Sequence, residues 1–107
     1  MITDLIYARD QVMVTRSWLV ILVPESKINE THDTFSAIAN GYPFGGRTMV
    51  LPGGGKLSLV SANREVFIPQ STPFDIMLLG WGGSREGDTK ELARWRAASR
   101  SLVTRGS

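Results

Sequence analysis

Residues Trp18 to Val23 read Trp-Leu-Val-Ile-Leu-Val and stop at Pro24. A run that is apolar at every position has no polar face to turn to water. It reads as a central strand covered on both faces. β-branched residues extend the pattern backwards, so the predicted strand spans residues 12–23. Pro24 ends it, because proline brings no N–H to a ladder. Residues 2–8 fit either a helical turn through Ile2, Leu5 and Ile6 or a short edge strand at Leu5-Ile6-Tyr7.

Beyond Pro24 the polar stretch Glu25 to Thr31 reads as loop. A short helix is predicted near 33–40. Thr31 or Asp33 can accept its first free N–H groups, and Phe35, Ile38 and Ala39 share a face. Asn40-Gly41 suits the left-handed conformation that closes a helix. From Arg47 the period changes to two. Strands are predicted over residues 47–51, 56–61, 64–68 and 74–79, with Pro52 to Gly55, Ala62-Asn63 and Pro69 to Pro73 as turns. Strands punctuated so closely by Gly, Pro and Asn indicate antiparallel neighbours. A Gly-rich break, Gly80 to Gly87, precedes an amphipathic C-terminal helix near 88–103. Asp88 and Glu91 form its capping box, and Leu92, Trp95, Leu102 and Val103 its apolar stripe. The expected fold class is α+β, a mostly antiparallel β-sheet, open or curled into a sandwich or barrel, with these two helices.

At 107 residues the chain is the size of a single domain, 1–107, whose residues 84–107 are the Arg-rich helical segment. There is no Cys, which removes disulfides, thiol nucleophiles and Cys-ligated metals together. The six-residue run before Pro24 is far short of the ~20 residues that span a bilayer. Met1 to Asp10 carries Asp4 and Asp10 and lacks the order of an export signal. The expected location is cytoplasmic or within a virion. Leu102 to Ser107 is similar to a thrombin-cleavage linker with Thr104 in place of Pro, so residues 104–107 carry no weight in the functional reading.

Few residues invite chemistry. Leu51-Pro52-Gly53-Gly54-Gly55-Lys56-Leu57-Ser58 looks like a phosphate cradle. A P-loop needs Gly five residues before Gly-Lys and Ser or Thr after it, and here Val50 and Leu57 stand there. The string reads as a hairpin turn. His32, the single histidine, has no partners spaced for metal or base chemistry, and reads as an exposed residue at a helix start. Asp75, an acid in an apolar strand, reads as an edge residue or the partner of an arginine. No catalytic, metal-binding or cofactor-binding residues are assigned.

Charge is uneven. Residues 1–84 hold six basic and seven acidic side chains, while residues 85–107 hold six basic and three acidic, with no acid after Glu91. Arg94, Arg96 and Arg100, with Trp81 in the glycine break, are the expected partner-binding residues. The leading functional expectation is an interaction or assembly module, self-associating as a homo-oligomer or bound to another protein. A subunit of a viral (phage) particle fits that expectation. The alternative is a small nucleic-acid-binding domain using the Arg-rich helix.

Overall fold

The computed structural model describes residues 2–39, 41–61, 72–80, 90–100 and 102–105. Helix α1 (Ile2–Thr15) comes first, and the apolar run follows as strand β1 (Trp18–Val23). A 3-10 turn at Glu25–Lys27 leads into helix α2 (Ile28–Ile38). Strands β2 (Phe44–Gly45), β3 (Thr48–Val50), β4 (Lys56–Ser61) and β5 (Asp75–Leu79) come next. Helix α3 (Lys90–Ala98) and strand β6 (Leu102–Arg105) follow. Among the described residues the strands form one mixed α+β sheet, in the order β2-β3-β4-β1-β5-β6.

β1 lies inside the sheet, as its composition requires. Val20, Ile21, Leu22 and Val23 are each at most 1% exposed. Ile21 and Val23 face a cluster built from α1, α2 and the strands, with Leu5, Val12, Phe35, Leu57, Leu59 and Met77. Val20 and Leu22 face a second cluster with Phe74, Ile76, Leu78 and Trp95. Two helices therefore cover one face and α3 covers the other. Each such side chain contributes roughly 1.5–3 kcal/mol when fully buried.

Covering both faces changes the pairing. The expectation of a mostly antiparallel sheet, open or curled into a sandwich or barrel, gives way to an open mixed sheet. β4, β1, β5 and β6 run parallel. Among the described residues, antiparallel pairing is confined to β2–β3–β4. A hairpin cannot join parallel strands, so the connections must cross a face of the sheet, and helices on the faces are the result.

Element boundaries move for similar reasons. Residues 12–15 were expected in the strand but belong to α1, where Leu5, Ala8 and Val12 repeat at helical spacing and are buried. Val14 faces outward at 79% exposure. α2 starts at Ile28 rather than near 33 and ends at Ile38, because Ile28, Thr31, Phe35 and Ile38 form its buried stripe. The C-terminal helix stops at Ala98 instead of reaching 103. Leu102 and Val103 pair beside Ile76 and Met77 as β6. The strand predicted at 64–68, the Asp88 cap and Trp81 lie outside the described residues.

The glycine run is a turn between β3 and β4. Gly54 N–H donates to Leu51 O at 3.1 Å and Leu51 N–H to Gly55 O at 2.8 Å. Gly55 presses on the last turn of α1. A Cβ there would meet Val12 Cγ1 at 2.6 Å and Val12 O at 2.8 Å. Gly55→Ala is therefore expected to cost about 1–3 kcal/mol by overpacking. Gly45 has open space around it, so Gly45→Ala should stay within about 0.5 kcal/mol. Urea denaturation of the two variants checks the contrast.

A basic cleft at the amino end of the sheet

α1 ends just before β1 begins, and α3 ends just before β6 begins. In a parallel sheet those points lie at one end, the amino ends of the strands. The β3–β4 turn reaches the same end, because Lys56 opens β4 and pairs across from Trp18. A cleft of about 390 Å³ opens there, lined by Arg16, Ser17, Trp18, Gly54, Lys56, Thr72, Pro73 and Arg100.

Three of those residues are cations, and each is held by a different device. Arg16 closes α1, with its N–H donating to Val12 O at 2.8 Å. Its φ of 55° is the left-handed conformation that caps a helix. The Arg16 side chain lies across Gly53, where a Cβ would come within 3.0 Å of its Nε. Lys56 places its ammonium 5.5 Å from the centroid of the Trp18 ring. At that distance the cation is attracted by the negative ring face. Arg100 donates its N–H to Phe74 O at 2.7 Å. Its guanidinium forks onto Asp75, Nε to Oδ1 at 3.1 Å and Nη2 to Oδ2 at 2.7 Å. The Asp75 hydrogen bond, and then its charge, hold the Arg100 pKa above its ordinary value. Asp75 is 16% exposed and Arg100 58%, so the arginine keeps donors turned to solvent. Helix carbonyl ends carry partial negative charge, and Arg16 and Arg100 sit where α1 and α3 end.

Trp18 also borders a second concavity on the α3 side of the sheet. That groove, about 220 Å³, is lined by Val20, Arg47, Thr48, Ser58, Val60 and Trp95 among others. Trp18 Nε1 donates to Ser58 Oγ at 2.9 Å, and the Ser58 and Thr48 hydroxyls share a hydrogen bond of 3.0 Å. On its other side the indole leans on Phe74, centroids 6.0 Å apart, and Phe74 meets Trp95 edge-on at 5.7 Å.

The structure separates the arginines named from the sequence. Arg94 and Arg96 are exposed and flank buried Trp95. At about 100° per residue they point some 200° apart and share no surface. Arg100 alone joins the cleft. Asp75 pairs with an arginine, one of the two roles expected for it. His32 is half-buried, its ring 6.0 Å from Phe44. Arg16, Lys56 and Trp18 were not expected to act together. Lys56 lies about 40 residues from the other two, and the parallel register of β1 with β4 brings it beside them.

At the carboxyl end of the sheet, where open α/β sheets commonly take ligands, a hydrogen bond links the segments that follow β1 and β5. Lys27 Nζ donates to Gly80 O at 2.7 Å. Ser61 Oγ is buried at the end of β4 and has no hydrogen-bond partner among the described residues.

Ser58→Ala would leave the Trp18 indole N–H without its acceptor. A loss of about 1–2 kcal/mol is expected, visible in urea denaturation followed by tryptophan fluorescence. Thr48→Val should cost less, since Ser58 still accepts from Trp18. No family model matches the chain, and neither a curated protein nor a solved structure is significantly similar to it, so the functional reading rests on this geometry.

Proposed function

We propose that the chain is a binding module that takes a polyanionic partner in the cleft at the amino end of its sheet. The observation that carries this reading is the convergence of Arg16, Lys56 and Arg100 from three separate parts of the chain. Surface cations scattered by chance are mobile and repel one another. Here Lys56 rests on an aromatic ring, Arg100 is forked onto a carboxylate, and the helix cap fixes the backbone from which Arg16 reaches the cleft. Anchored cations lose less freedom on meeting an anion, which is the advantage of preorganisation. The reading keeps the expected nucleic-acid alternative and moves its centre from α3 to the cleft.

Self-association is a second reading, favoured by the β2–β3 side of the sheet. Phe44 and Val50 are 37% and 40% exposed there. An open edge with apolar side chains is a surface on which a second copy can pair.

Binding to immobilised heparin and to polyphosphate tests the first reading. Retention should fall steeply as salt rises, because exposed charges are screened. Arg16→Gln and Lys56→Gln should each weaken binding by up to about fivefold, the ~1 kcal/mol ceiling of an exposed ion pair. Arg94→Gln should change little. Equal losses from Arg94→Gln and Lys56→Gln would count against the cleft. Light scattering across a concentration series addresses the second reading, which expects a fixed oligomer that survives high salt.

A further inference from the structure

Building on the polyanion reading, we infer that the partner is a single-stranded nucleic acid and that Trp18 is the platform for one of its bases. Trp18 is the shared wall of two concavities, one with three cations and one that mixes apolar, hydroxyl and guanidinium groups. On one side lie Arg16, Lys56 and Arg100. On the other lie Thr48, Ser58, Val60 and the guanidinium-bearing Arg47. A strand of nucleic acid has the same division, with charge along its backbone and flat, hydrogen-bonding bases to the side. Proteins that hold such strands pair a basic groove with aromatic side chains on which bases stack.

The indole is prepared for that use. Its N–H is tied to Ser58 Oγ at 2.9 Å, which fixes the plane of the ring. One side rests on Phe74. Over the ring sits the Lys56 ammonium, 5.5 Å from the centroid. The ring holds the exposed ammonium by only about 0.5–1 kcal/mol, and a phosphate in the cleft gives it a better partner than the ring. Lys56 moving to phosphate then uncovers the surface a base requires. The Thr48 hydroxyl and Arg47 line the neighbouring groove, which Trp18 also borders, and offer hydrogen-bonding groups to the next part of the strand. An acidic peptide satisfies the cations but brings an aromatic face to the indole only where it carries an aromatic side chain. A duplex keeps its base faces stacked inside and presents its backbone and the base edges in its grooves.

Fluorescence anisotropy with labelled twelve-nucleotide dT and dA strands, and with the duplex they form, tests this. The single strands are expected to bind at least about tenfold tighter than the duplex. One stacked base is worth about 1–3 kcal/mol by substitution, so Trp18→Leu should weaken strand binding about five- to a hundredfold, while heparin retention falls only by the few fold that loss of the Lys56–ring contact accounts for. Trp18→Phe retains an aromatic face and the fold. It should keep strand affinity within a few fold while losing the larger part of the tryptophan quenching that strand binding causes in the original chain. Equal binding of strand and duplex, or quenching of undiminished amplitude in Trp18→Phe, would overturn the base platform and leave the polyanion cleft standing. Absence of binding to strand, duplex and heparin alike at low salt would overturn both.

Discussion

The structure depends on one demand, that β1 be covered on both faces. Half-covered strands can alternate apolar and polar residues, but Leu19 to Val23 has nothing to offer water. Hairpin connections keep neighbours close in the plane of the sheet and leave its faces bare. Crossing connections bring helices onto those faces. The parallel core of β4, β1, β5 and β6 is thus the geometric answer to a single apolar run. The short β2–β3 ribbon could remain antiparallel because it lies beyond the region where both faces must be dry.

The parts of this fold that were legible in the sequence depend on local chemistry. The central position of β1 follows from its composition. The turn at Pro52 to Gly55 follows from glycine and proline, and the inward face of Leu57 and Leu59 follows from alternation. What was not legible depends on contacts between distant segments. Val12, Met13 and Val14 favour strands by type, yet Leu5 and Ala8 below them complete a helical stripe. The Arg100 backbone and guanidinium are caught by Phe74 and Asp75, so α3 ends early and Leu102 and Val103 leave it for β6. The cleft was hidden for the same reason. Charge counting led to residues 85–107, whereas two of the three cations that converge come from the faintly acidic first part of the chain.

The position of the cleft has an electrostatic cost. It lies where α1 and α3 end, and helix carbonyl ends attract cations and repel anions. Those ends help to hold Arg16 and Arg100 in place, yet they weaken the field that an incoming anion feels. Asp75 has the same double effect, anchoring Arg100 while cancelling part of its charge. Such a site gains orientation at the expense of raw attraction. Aromatic and hydrogen-bonding contacts then carry a larger share of recognition than they would on a more strongly basic surface.

Arg16, Lys56 and Arg100 come from the beginning, middle and end of the 107-residue chain. The cleft therefore exists only after the β3–β4 turn has seated against α1 and the segment after α3 has locked onto Phe74. A ligand that touches all three cations binds the folded chain and not the unfolded one, so by linkage it raises the free energy of unfolding. Occupancy of the cleft and closure of the fold are two views of one equilibrium, and a bound polyanion acts as a removable brace across the amino end of the sheet.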